Sequence, residues 1–171
     1  MRAYFFGNMY LSSIQQGIQA QHCTVAMYKK YFPRPTLVGE CCFEADEQAI
    51  MLSDWAFDHE TDVLLNGGYA ETMHELYRDL DVYDNPYPFA KFHEGHDSLG
   101  GVLTCVGIIL PADIYEVAAE VRKSFGKEGR DNVDKFNHYG EWSADYDGMV
   151  HTYDKWQVWL INELNKYGLA K

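Results

Sequence analysis

The polar stretch from Gln15 to His22 has the residue types of a ligand-binding site. It contains four glutamines and one histidine, and it follows a short predicted strand at the start of a predicted helix. Ligands of open α/β sheets bind outside the carboxyl ends of the strands, and helix N-termini attract anions. The candidate ligand-binding residues here are Gln15, Gln16, Gln19 and His22. A solvated helix face is the alternative, because glutamine is a good helix former.

A second polar group is the segment His93-Glu-Gly-His-Asp97, at the end of another predicted strand. Two histidines and two carboxylates could bind a metal, but a loop lacks the i, i+4 spacing of a helical metal site. We therefore predict no bound metal and no cofactor. Glu94 or His93 is instead a candidate acid–base or hydrogen-bonding group.

The third group is Asn66-Gly67-Gly68, which closes a short β-rich run. Glycines have no β-carbon and let a ligand or another backbone approach closely. Asn66, Gly67 and Gly68 are therefore further candidate ligand-binding residues, with a simple turn as the alternative.

Composition and charge limit the classes of partner. The chain has 171 residues, 47% of them hydrophobic and 23% charged, as expected for one globular domain. The net charge of the chain is −12, and all of it comes from the segment Glu40–Asp84, which has 13 acidic residues and one basic residue. No basic face is evident, so we expect no binding of long nucleic acid. No apolar run is long enough to span a membrane. The four cysteines have no C-x-x-C spacing, which predicts reduced thiols in a cytoplasmic protein.

Hydrophobic periodicity predicts the elements that position these residues. The predicted strands are Arg2–Phe6, Thr61–Leu65, Pro88–His93 and Val102–Leu110; the predicted helices are about Ser13–Lys30, Ala45–Trp55, Tyr69–Leu80, Pro111–Phe125 and Thr152–Tyr167. This order predicts a three-layer α/β domain with a small mixed β-sheet. Val102–Leu110 is a continuous apolar run, which is typical of a central strand covered on both faces. Gly126–Gly148 is polar and is predicted to be a loop.

Two of these segments carry a resemblance to a known family. Gly17-Ile-Gln-Ala-Gln-His22, read with the strand before it, and Thr104-Cys-Val-Gly-Ile-Ile-Leu-Pro111 resemble the first helix and the last strand of type 2 peptidyl-tRNA hydrolases. The resemblance covers about residues 1–125 and implies that family's fold, with residues 126–171 as a helical extension. It implies that Thr104 matches a threonine of the family and that Glu94 or His93 stands in place of an aspartate.

The resemblance also has a departure. The family's lysine at the start of the first helix aligns near Gln15 or Gln16, and no lysine occurs between Arg2 and Lys29. A fixed cation binds phosphate and stabilises charge in a transition state, so its loss favours binding over peptidyl-tRNA hydrolysis.

Three functions follow as hypotheses. The first is a protein that binds a small nucleotide-type ligand through the three groups above and Thr104. The segment that begins Phe6-Gly-Asn-Met-Tyr-Leu resembles the opening of bacteriophage proteins, which implies a counter-defence protein that sequesters a nucleotide signal in the host cytoplasm. The second is an active hydrolase of peptidyl-tRNA or a nucleotide ester, with His22 or Glu94 as general base and Thr104 in the site. The third is a structural module assembled through an aromatic tail.

The aromatic tail also predicts an assembly. Trp142, Trp156 and Trp159 follow the part of the chain that the resemblance covers. Large aromatic side chains on an appended helix need burial, and a partner subunit is one way to supply it. We therefore expect a homodimer or a higher homo-oligomer.

Overall fold

The computed structural model describes residues 1–32, 46–82, 85–125 and 142–170. The strands are Arg2–Gly7 (β1), Asp62–Asn66 (β2), Phe89–His93 (β3), Leu103–Leu110 (β4), Trp142–Tyr146 (β5) and Met149–Tyr153 (β6). The α-helices are Ser13–Tyr31 (α1), Glu47–Asp54 (α2), Ala70–Leu80 (α3), His96–Leu99 (α4), Ala112–Phe125 (α5) and Lys155–Lys166 (α6), and a π-helical turn, Trp55–His59, continues α2. The short helix α4 falls where the sequence predicts only a connection between two strands.

Residues 1–110 and 169–171 form one compact unit around a mixed sheet. The strand order is β2-β1-β4-β3, with β1 parallel to β2 and β4 antiparallel to both of its neighbours. All eight residues of β4 are buried, as its continuous apolar sequence predicts. The α/β class, the mixed sheet and the central position of β4 beside β1 are confirmed.

Helices cover both faces of this sheet, as the alternation of side chains along β3 shows. Phe92 stacks on His22 of α1, with ring centroids 4.7 Å apart. Its neighbour Lys91 points the other way, where its Nζ lies 4.1 Å from the centroid of the Tyr77 ring of α3. Successive residues of a strand face opposite sides of the sheet, so α1 and α3 form separate layers.

Helix α1 lies where it was predicted, but the face that packs against the sheet is not the face that carries Ile14, Ile18 and Val25. The helix is predicted from the spacing of Ile14, Ile18, Val25 and Tyr28, but the first three are 77%, 50% and 50% exposed and Tyr28 is half-buried. The buried face consists of Gln16, Gln19, Ala20, Cys23, Met27 and Tyr31. The two buried amides are held by hydrogen bonds: Gln16 donates to backbone carbonyls of the turn after β1, and Gln19 bonds to Glu94 and Thr104.

The outer edge of β2 is covered by residues close to the end of the chain. Leu65 forms a β-bridge with Leu169, and Ala170 N donates to Leu64 O at 3.0 Å. These residues satisfy part of the backbone of β2 that faces away from β1.

Residues 111–168 form the second compact unit, so α5 groups with the segments that follow it. In this unit Asn165 of α6 donates to Ala118 O of α5 at 2.9 Å. The sequence-based division instead placed α5 at the end of the first domain, with the boundary after residue 125.

A β-hairpin formed by β5 and β6 lies in a region predicted to be a loop. Asp147 and Gly148 have φ values of 51° and 74°, as a two-residue type I′ turn requires. The prediction of a loop is therefore wrong from Trp142 onward, while residues 126–141 lie outside the described part. Helix α6 begins at Lys155, after the N-cap Asp154, rather than at Thr152.

Candidate functional site

Gln15 belongs to the N-terminal cap of α1. Its Oε1 accepts a hydrogen bond from Ser12 N at 2.9 Å, while Ser12 Oγ accepts one from Gln15 N at 3.4 Å. This reciprocal pair is a capping box, which satisfies backbone N–H groups that a helix start leaves free. The carbonyl end of the Gln15 side chain is therefore engaged within the chain.

Gln19, Glu94 and Thr104 form a hydrogen-bonded set, which we call the amide network. Gln19 Nε2 donates to Glu94 Oε2 at 2.9 Å, and Thr104 Oγ1 donates to Gln19 Oε1 at 3.0 Å. Thr104 is fully buried and Gln19 is 8% exposed. A carboxylate can only accept hydrogen bonds, so it fixes which end of the amide faces it. Three predicted site residues, distant in sequence, thus meet between α1 and the sheet.

His22 lies beside this network but is not part of its hydrogen bonds. It is exposed, and its ring stacks on Phe92. It follows Gln19 by three residues on α1, so the two side chains share a face of the helix.

Gln16 stabilises the turn between β1 and α1 by hydrogen bonds to its backbone carbonyls. Its Nε2 donates to Asn8 O at 3.3 Å and to Leu11 O at 3.0 Å, while its buried Oε1 has no hydrogen-bond partner among the described residues. A β-carbon added to Gly7 would lie 3.0 Å from Gln16 Cγ, so the glycine makes room for the amide.

The Asn66-Gly67-Gly68 segment is a tight turn against β1. Asn66 Oδ1 accepts from Gly68 N at 3.0 Å, and Gly67 N donates to Gly7 O at 2.8 Å. A β-carbon at Gly67 would lie 2.9 Å from Phe6 Cβ, and Gly68 has a φ of 79°. Position 67 requires glycine because the backbone of β1 approaches closely, and position 68 favours glycine because its backbone is left-handed.

A cleft that the sequence did not predict opens at the same end of the sheet. Its volume is about 320 Å³, and its lining consists of Asn8, Tyr10, Tyr69, Ala70, Glu71 and Val102. Tyr10 is 81% exposed and Tyr69 is 49% exposed, with ring centroids 4.9 Å apart and ring planes inclined at 51°. We call this the tyrosine cleft.

Two hydrogen bonds hold the buried Asn8 in the lining of the tyrosine cleft. Asn8 Nδ2 donates to Leu103 O at 3.0 Å, and Asn8 Oδ1 accepts from Tyr10 N at 3.1 Å. One signal for the cleft was present in the sequence: Tyr10 and Tyr69 each lie three residues beyond the end of β1 or β2. The carboxyl ends of parallel strands meet at one edge, which brings such residues together.

The charge of the tyrosine cleft is negative. Glu71 lies in the first turn of α3, and its carboxylate makes no hydrogen bond or ion pair with any described residue. No lysine or arginine is among the six residues that line the cleft.

Two buried cysteines lie close to the amide network. Cys23 and Cys105 are both free thiols, and burial together with the neighbouring Cys23 raises the pKa of Cys105. Cys41 and Cys42, the other two cysteines for which reduced thiols are predicted, lie outside the described residues.

Comparison with known proteins assigns no family. No protein-family model matches the chain, and no curated protein matches it either. Over the described ranges, no helix is long and apolar enough to cross a membrane. In the same part of the chain, no three His, Cys, Asp or Glu side chains are grouped so that they could hold a metal ion.

Proposed function

We propose that this protein binds a small nucleotide-type ligand and holds it in the tyrosine cleft. The observation that carries the proposal is the exposed pair of Tyr10 and Tyr69 at the carboxyl ends of two parallel strands. Nucleobases stack on aromatic side chains, and each stacked base contributes about 1–3 kcal/mol to binding. Ligands of α/β sheets occupy this edge.

The size of the cleft suits one base and its sugar. About 320 Å³ is at the lower end of the range for small-molecule sites, so a large substrate would extend beyond it. Stacking requires no fixed cation, which fits a helix α1 that begins without a lysine. A protein that holds a nucleotide signal in this way would lower its free concentration, and we propose this counter-defence sequestration as its biological role.

Isothermal titration with nucleosides and mononucleotides tests the proposal. We expect the double variant Tyr10→Ala/Tyr69→Ala to bind at least tenfold more weakly, with an almost unchanged melting temperature, since both rings are exposed. Phe57→Ala is the matched control, because Phe57 is 84% exposed and does not line the cleft. Equal affinity of the double variant and the parent would contradict the proposal, as would no binding by the parent.

A second candidate is a hydrolase, and the amide network favours it. Gln19 fixes Glu94 Oε2, and an oriented carboxylate is suited to act as a general base. His22, on the same face of α1, is the other candidate base. Turnover of a nucleotide ester or of peptidyl-tRNA that is lost in Glu94→Gln would establish this function; intact recovery of every substrate would exclude it.

We also propose that the protein assembles as a homodimer or higher oligomer through the second unit. Trp156 and Trp159 are half-buried, with ring centroids 6.0 Å apart, so part of each ring can be covered by another subunit. A mass of 19.7 kDa by light scattering at micromolar concentration would contradict this.

A further inference from the structure

We propose that the tyrosine cleft selects a guanine-type base through Glu71 and leaves any phosphate of the ligand outside. This inference rests on the proposed function and names the part of the ligand that the site recognises. Three observations carry it: the carboxylate of Glu71, which bonds to no described residue, the exposed ring of Tyr10, and the absence of lysine and arginine from the six residues that line the cleft.

The carboxylate decides which base edge fits. A carboxylate only accepts hydrogen bonds, and its two oxygens match a ligand with two adjacent N–H donors. Guanine has such an edge, formed by its N1–H and its 2-amino group. Adenine has an unprotonated N1 in the corresponding position, which would face the carboxylate with a lone pair.

The tyrosines decide how the base lies. Their ring centroids are only 4.9 Å apart, so a base cannot insert between the two rings. It can stack on the outer face of Tyr10, which is 81% exposed. Glu71, which lines the same cleft, then meets the edge of the base.

The charge decides where a phosphate goes. The cleft includes the start of α3, where the carboxylate of Glu71 repels an anion and offsets the positive end of the helix dipole. The lining residues include no lysine or arginine that could bind a phosphate. A phosphate on the ligand is therefore directed towards solvent and adds little to affinity. Recognition is centred on the nucleoside.

Titration of the full chain with guanosine, inosine, adenosine and guanosine monophosphate tests this selection. We expect guanosine to bind at least tenfold more tightly than adenosine. Inosine, which keeps N1–H but lacks the 2-amino group, should be intermediate, and guanosine monophosphate should bind no more tightly than guanosine. Glu71→Gln should weaken guanosine binding at least tenfold and leave adenosine binding unchanged or improved.

A matched control is available one turn further along α3. Glu75 is exposed and does not line the cleft, so Glu75→Gln should retain the preference for guanosine. Equal binding of guanosine and adenosine, lost on Tyr10→Ala/Tyr69→Ala, would overturn the selection by Glu71 while the proposed function stands. Tighter binding of guanosine monophosphate than of guanosine would also overturn it. Absence of binding by all four compounds would overturn the proposed function itself.

Discussion

The amide network and the tyrosine cleft lie at the same end of one sheet, yet they use their side chains in opposite ways. In the network, polar residues are buried and bonded to one another, and they hold α1 against β4. In the cleft, the side chains of Tyr10, Tyr69 and Glu71 are exposed and make no hydrogen bond to another residue in the described ranges. Residue type alone ranks the glutamines as the better ligand-binding candidates. The structure shows that a polar side chain can be fully engaged in holding the fold together.

The largest effect that separates the two regions should come from Thr104→Val. This change keeps the shape of the side chain but removes the donor to Gln19 Oε1, leaving a buried acceptor unsatisfied. We expect a loss of about 1–3 kcal/mol in the free energy of unfolding, measured with urea, and unchanged nucleoside binding.

Thr72→Val is the control for that variant, because Thr72 is exposed on α3. It should change stability by less than about 0.5 kcal/mol. If Thr104→Val retained full stability but lost nucleoside binding, the amide network rather than the cleft would be the binding site.

Tyr31→Phe should have an intermediate effect on stability, and it tests a tyrosine that is buried and hydrogen-bonded within the fold. Tyr31 Oη donates to Phe89 O at 3.3 Å and accepts from Phe89 N at 3.1 Å. Burial raises the pKa of Tyr31 to about 12, and the carboxylates of Asp46 and Asp81 add to the shift. Loss of these hydrogen bonds should cost about 0.5–1.5 kcal/mol at neutral pH.

The sign of the pH dependence follows from the raised pKa. An unfolded tyrosine ionises near pH 10, before the folded one does. The stability contributed by neutral Tyr31 is therefore complete below pH 10 and falls as the pH rises towards about 12. Urea unfolding between pH 9 and pH 12 should show a smaller decline for Tyr31→Phe than for the parent; parallel declines would contradict this.

The smallest effect should come from Gln15→Ala, which decides between the capping and ligand-binding roles of that residue. Loss of the capping-box acceptor should lower stability by about 0.5 kcal/mol, with no change in nucleoside affinity. Gln21→Ala, an exposed glutamine on the same helix, is the control. A tenfold loss of affinity in Gln15→Ala alone would restore Gln15 to the binding site.

Sequence patterns predicted most of the first unit because its strands and helices have strong local signals. The continuous apolar run of β4 is typical of a strand that is covered on both faces, and the structure places it beside β1. The inner face of α1 could not be predicted in this way, since burial of Gln16 and Gln19 depends on partners up to 85 residues away.

Two other features were missed for different reasons. The β5–β6 hairpin could have been predicted, because Asp147-Gly148 is a favoured two-residue turn. The polar composition of the segment favoured a loop instead. The tyrosine cleft had only the positions of Tyr10 and Tyr69 after parallel strands. No periodicity links two residues so far apart in the chain, so the sheet order had to be known first.

The short pairing of Leu169 and Ala170 with β2 has a consequence for aggregation. An edge strand with free N–H and C=O groups is a template on which another chain can add a strand. A chain cut after Gly168 would expose that template on β2, next to the half-buried Val63 and Leu64. Two residues near the end of the chain thus protect the sheet against intermolecular strand addition.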